Sequence, residues 1–317
     1  MSRNDFKMPS YEKNVGRLVS IYKKALLRLQ KELDAVDVRL LTQASTYALI
    51  RNLQAELLKV DKEAVEWVKE NIVIATKDGI ADSLVALEYV ESREEALKIV
   101  RFNQANALLL TKAVEDTFED VLAITQNMNK HFVEEIRKVS STVIAENIAM
   151  NNQVQITSKE MAKRIEELQK KLRDSVDVAI VDRGNRKWTV EHYTEMLART
   201  KMTQLHSEAC SNEAIGRGAY YATISFNANT KDACRYHQGR IVKLTSEAEG
   251  NYPTIDQLKM SGQIFHPNCK HHIIPLRDAS LLSNWERSLA DKQQKTGDKA
   301  LEAGGRNPAN VENERKS

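Results

Sequence analysis

Cysteine is scarce in this chain: there are three in 317 residues, Cys210, Cys234 and Cys269. So few thiols, odd in number, exclude the disulfide framework that braces small secreted folds. The opening Met1-Ser2-Arg3-Asn4-Asp5 lacks the apolar run of a secretory signal, so reduced thiols in a cytoplasm are expected. No stretch approaches the roughly eighteen continuous apolar residues that read as a membrane span. Aromatic residues are 6% of the chain, so the 42% hydrophobic content rests on Leu, Ile, Val and Ala, a mixture that favours helices. Excess charge is also small. With +3 at neutral pH, displacement of phosphate counterions would give a log–log salt slope of only about −3. That speaks against a dedicated DNA-binding protein. The Walker loop, the dinucleotide-binding glycine turn and the His-Glu-x-x-His helix are all missing.

Glycine and proline are present but unevenly placed. Residues 1–183 hold one proline (Pro9) and two glycines (Gly16, Gly79), and the remaining 134 residues hold four prolines and nine glycines. These residues interrupt helices and build turns, so architecture is expected to change near Asp182-Arg183-Gly184. Upstream, Val15, Leu18, Val19, Tyr22, Leu26, Leu29, Leu33 and Val36 form one helical stripe behind Ser10 as N-cap. Leu53, Leu57, Val60, Ala64, Trp67, Val68 and Ile72 repeat the pattern. Further helices are expected over 79–90, 93–127, 128–149 and 158–174, the last behind Thr157-Ser158. Each stripe needs a partner, within the chain or on another subunit.

Downstream, Thr189 is placed to cap a helix reaching about Glu213. Residues 219–226 alternate as a half-buried strand, Arg240–Leu244 and His272–Leu276 suit short strands, and Leu281, Leu282, Trp285 and Leu289 mark a closing helix. Beyond Gly297 the composition is polar and reads as disordered. The expectation is an α+β protein: a helical arm or bundle over 1–183, a small α+β module with Cys/His-braced loops over 184–296, and a tail over 297–317.

Metal-binding residue types gather in one window. Cys234 and His237 are followed by His266, Cys269, His271 and His272, four of the seven histidines in the chain. Structural zinc takes four nitrogen or sulfur ligands, and short gaps let one turn supply two. Cys234, His266, Cys269 and His271 would complete such a set, with His237 and His272 as substitutes. Zinc would also order Asn227–Lys270, which is poor in apolar residues. Buried thiols, or a Cys234–Cys269 disulfide formed outside the cell, fit the same residues, and the three states stay open at this level. Arg199 and Thr200 read as a helix-surface pair.

The order of motifs then becomes informative. Asp182-Arg183-Gly184-Asn185-Arg186-Lys187-Trp188 leads into Tyr193-Thr194-Glu195-Met196-Leu197-Ala198-Arg199-Thr200. Gly218, Cys234, Gly239-Arg240, Tyr252-Pro253 and His266-Pro267-Asn268-Cys269-Lys270-His271 follow. This succession resembles the phage minor capsid protein 2 family, closely over 155–278, and its ending is similar to that of Mu-type head-morphogenesis proteins. The resemblance implies a structural virion protein with no enzyme activity, made in the host bacterial cytoplasm. It would sit in the capsid interior or portal region and act in head assembly or in DNA packaging and delivery. Implied partners are the portal or major capsid protein, packaged DNA, and further copies of the chain through its helices.

Two rival functions belong to other classes. A nucleic-acid-binding module is suggested by residues 185–285, where twelve basic residues face nine acidic ones, against twenty-eight and twenty-nine in 1–184. A metal-dependent nuclease would use His266, Asn268 and His271, with the metal activating water. Salt-sensitive DNA retention discriminates the first, and loss of activity on replacing His266 and His271 the second.

Overall fold

The computed structural model describes residues 7–151, 158–175, 179–181, 186–227, 229–308 and 311. Asp182, Arg183 and Gly184, where the change of architecture is expected, lie outside the described residues, as does Thr157. The chain begins with five helices: α1 (Glu12–Asp34), α2 (Gln43–Ala86), α3 (Arg93–Ile99), α4 (Gln104–Asn151) and α5 (Ser158–Asp174). An antiparallel ribbon of β1 (Ala179–Val181) and β2 (Lys187–Thr189) precedes α6 (Val190–Gly216). Then come β3 (Tyr221–Ile224), β4 (Ile241–Lys243), α7 (Ile255–Ser261), β5 (Ile273–Leu276) and α8 (Asn284–Ala303). The fold is α+β, with long helices first and a small sheet after them.

Packing divides the chain into two compact units. A helical unit comprises Lys13–Val68 and Asp116–Ala198, and a sheet unit comprises Met1–Glu12, Lys69–Glu115 and Arg199–Ser317. In the helical unit the stripe of α1 is buried at Val15, Leu18, Tyr22, Ala25, Leu29 and Leu33. The helix begins at Glu12, two residues after the expected cap at Ser10. Polar atoms in this unit are tied off: Trp67 Nε1 donates to the Asn14 carbonyl at 2.8 Å, and Tyr22 Oη to the Val121 carbonyl at 2.8 Å. These bonds let large side chains be buried without stranding a donor.

Three helix boundaries differ from expectation. The stretches around 53–72 and 79–90 form one helix, α2, which runs straight through Gly79. A Cβ there would lie 2.2 Å from the His206 carbonyl oxygen, so this glycine serves a close helix approach and not a turn. Residues 93–127 form two helices instead of one. Ser92 caps α3 by accepting from Glu95 N, and Asn103 Oδ1 accepts from Asn106 N at 2.8 Å to start α4. No break separates 127 from 128.

The sheet unit is built around β3, which pairs antiparallel with β4 on one side and β5 on the other. At the end of the helical unit, Thr189 caps α6 as expected, accepting from His192 N at 3.2 Å. Charges are buried in the sheet unit. Arg93 Nη2 meets Asp78 at 2.7 Å, its Nη1 also meets Asp82, and His206 Nε2 lies 2.8 Å from the second Asp82 oxygen. The closing helix does not stop at Gly297 but continues to Ala303, which corrects the reading of 297–303 as disordered. Gly297 is helical and buried, and a Cβ there would sit 2.1 Å from Arg240 Nη1. Arg240 is itself fully buried and paired with Asp298 of the same helix.

Candidate metal centre

Two short turns carry the sulfur and nitrogen atoms. The first is a 3-10 helix, Ala233–Tyr236, capped by Asp232, whose side chain accepts from Cys234 N. The second is a turn closed by Cys269 N donating to the His266 carbonyl at 2.9 Å. Pro267 presets the second residue of that turn, and Asn268 adopts φ 64°, the positive angle a type II turn requires at its third. The preceding Phe265 is also left-handed, at φ 57°. The turn therefore holds His266 and Cys269 on one side of a tight bend.

Helix α6 secures this bend. Arg199 Nη1 donates to Asn268 Oδ1 at 3.2 Å, and Asn268 N donates to Thr200 Oγ1 at 3.2 Å. Arg199 also pairs with Glu12 at 2.9 Å. The Arg-Thr pair, read from sequence as surface features, is thus the seat of the His-Pro-Asn-Cys turn. Spacing alone could not show this, because 69 residues separate Arg199 from Asn268.

The two turns bring three ligand atoms together. Cys234, His266 and Cys269 present ligand atoms all within 4.8 Å of one another, a group that could hold a metal ion. Cys234 Sγ lies 3.2 Å from His266 Nε2 and 3.7 Å from Cys269 Sγ. His271 stands beside this group, its Nδ1 3.5 Å from Cys269 Sγ. Its Nε2 lies 3.4 Å from Gln238 Oε1. Asp232, absent from the sequence-based set, approaches His266 Nε2 with a carboxylate oxygen at 3.1 Å. Hydrogen bonds to Cys234 and His266 hold its carboxyl below the usual range despite partial burial, which opposes the shift.

The substitutes lie elsewhere. Buried His237 accepts from Arg240 Nη1 at its Nδ1 (3.1 Å) and faces Gln263 Oε1 with its Nε2 (2.8 Å). Burial foremost, with the Arg240 charge, pushes its pKa down to about 4, so the ring is neutral with its proton on Nε2. His272 begins the β5 side of the sheet, its ring edge-on to His206 at a centroid distance of 6.5 Å. Neither joins the three-atom group.

The thiols are electrostatically unequal. A hydrogen bond from Cys234 lowers Cys269 to about 4 against the opposing effect of burial, and His271 assists. Cys234 is raised by the same shared bond and by burial. A cation bound between them would displace the proton they share. The surroundings are more apolar than expected. Cys234 and Cys269 belong to a core with Ala222, Ile224, Val242, Leu258, Ile264 and Ile273. Three of these lie within 227–270, so that segment buries more surface than its composition suggested. Leu258 reaches the core from α7, a helix missed in sequence although Thr254 and Gln257 form its capping box.

Among described residues no helix is long and apolar enough to cross a membrane. No curated protein and no solved structure matches the chain. The sequence pattern of phage minor capsid protein 2 matches residues 15–302, reaching well beyond the 155–278 where the motifs are densest and spanning most of both units. The chain belongs to the phage minor capsid protein 2 family.

Proposed function

We propose that this protein is a non-catalytic structural part of the phage head, seated at the portal or on the inner capsid surface. There it acts in head assembly or in packaging and delivery of the genome. The family match across residues 15–302 carries this reading. An apolar groove of about 740 Å³ between the start of α2 and the end of α4 supports docking through helices. Its lining includes Leu41, Tyr47, Ile50, Ile144 and Ile148, and Tyr47 and Ile148 are half exposed or more. Mass spectrometry of purified virions, with a map of the portal vertex, tests the reading. A few copies per particle beside the portal or inner shell are expected. Presence in the lysate but absence from particles overturns it.

Within the sheet unit, zinc held by Cys234, His266 and Cys269, with His271 as fourth ligand, would brace the two turns. The ligand chemistry supports zinc: two sulfurs and imidazole nitrogens suit a structural site. Elemental analysis of protein purified without chelator should find about one zinc per chain. Finding none removes zinc and leaves the structural role. The second reading is a Cys234–Cys269 disulfide, favoured by the 3.7 Å between their sulfurs. Thiol titration of unfolded protein from virions separates the two: three free thiols support the metal, one supports the bond.

A further inference from the structure

The chain stays on the sheet unit after α8 ends. Gly304 and Gly305 both take positive φ, 69° and 72°, and redirect the backbone at the end of the helix. Glycine adopts such angles without strain. The residues that follow run across the parts that carry the ligand atoms. Gln263 Nε2 donates to the Gly305 carbonyl at 3.0 Å as well as to the Ala300 carbonyl at 2.6 Å. Arg306 Nη2 lies 3.3 Å from His266 Nδ1, and Asn307 Oδ1 accepts from Ala233 N at 3.2 Å. Three consecutive residues thus touch the approach to the second turn, its histidine, and the start of the first turn. Gln263 is also tied to the sulfur, since its carbonyl accepts from Cys234 Sγ at 3.4 Å. Farther along, Val311 packs against Ala233 and Tyr236.

These contacts join the two turns from outside. Cys234 and Cys269 are buried, whereas residues 304–307 are exposed and Pro308 is half-buried. A cleft of about 240 Å³ has Asn307 and Pro308 on one side and Asp232 and Ala233 on the other. Asp232 reaches His266 Nε2, the nitrogen that faces Cys234 Sγ, so solvent in the cleft is one side chain from the ligand atoms. A segment held by a few exposed bonds opens far more often than the core beneath it unfolds. Capping α8 needs none of these side chains, because Gly304 N already donates to the Leu301 carbonyl. We propose that residues 304–308 form a clasp on the sulfur site. Closed, it fixes the two turns against each other; its local opening admits a metal ion or a thiol reagent to Cys234 and Cys269. Control of zinc exchange rests on the zinc reading above, and control of thiol access rests only on these contacts.

The test follows iodoacetamide labelling of the reduced, metal-free full chain, with each cysteine read in its own tryptic peptide. R306A/N307A removes two hydrogen bonds and should label Cys234 and Cys269 roughly tenfold faster or more. Cys210, fully buried in the same core but carried on α6, should keep its wild-type rate. Should that variant lose its fold by circular dichroism, G305A, which strains the bend and removes no side chain, carries the test with the same expected pattern. Wild-type labelling in a folded variant overturns the proposal. An equal rise at Cys210 also overturns it, because that marks loosening of the whole core. Zinc-loaded R306A/N307A should lose its metal to excess chelator faster than wild type by a similar factor, and equal release rates count against the clasp. A chain that takes up no zinc ends the zinc reading alone; the metal-free labelling still decides the clasp.

Discussion

The two compact units are stabilised in different currencies of contact. In the helical unit, long apolar stripes meet, and the large buried side chains Trp67 and Tyr22 end on backbone carbonyls, while Thr46 bonds Ser140 and Thr125 bonds Asp61. In the sheet unit, much of the interior is polar or charged: Arg240, His206, His237 and Gln263 are buried, as are the thiols Cys234 and Cys269. Apolar burial is non-directional and spread over many residues, so it tolerates small shifts. Buried charges and hydrogen bonds must each keep their partner, so the sheet unit depends on a few exact approaches.

The contrast is broken most severely at the thiols. C234S/C269S should lose the metal and, measured against wild type with zinc in large excess of its dissociation constant, about 4 kcal/mol or more of stability. Urea titration with and without chelator checks this; a chelator-insensitive wild type would count against a metal brace. Next in size, the helical glycines should behave oppositely in the two units. Gly79→Ala drives a methyl into the His206 carbonyl and should cost about 3 kcal/mol, since backbone cannot rotate away.

His237 gives a smaller effect that depends on pH. Its folded pKa of about 4 lies below the unfolded value, so the unfolded chain takes up the proton first. Stability from keeping the ring neutral is complete above about pH 6.5 and falls as pH drops toward 4, by about 2 to 3 kcal/mol in all. His237→Gln should flatten that part of the stability curve, measured in chelator so that metal release adds nothing. An unchanged slope would place the proton elsewhere. Smallest is Gly16→Ala in α1, where nothing lies within 4 Å of the added methyl. It should gain roughly 0.5 to 1 kcal/mol through helix propensity. A loss at Gly16, or a gain at Gly79, would erase the distinction between the units.

Legibility followed the same division. The α1 stripe was readable because a helix repeats its apolar positions every three to four residues, and that repeat lies in the local sequence. The three sheet strands and the Thr189 cap were readable for similar reasons, and Cys234, His266 and Cys269 stood out by chemistry. Gly79 and Gly297 were read as punctuation, and both proved to be helical positions where another group passes close. Nothing near Gly297 in sequence announces Arg240, nor does anything near Asn268 announce Arg199.

By itself the sequence determined most of the helices and the three strands of the sheet, which atoms can ligate a metal, and, through the order of its motifs, the family. Those are properties of neighbours along the chain or of side-chain chemistry. Only the tertiary structure decided which imidazoles reach the sulfurs and why two glycines sit inside helices. Each of those depends on distances between residues remote in sequence, and such distances exist only once the backbone has closed its turns.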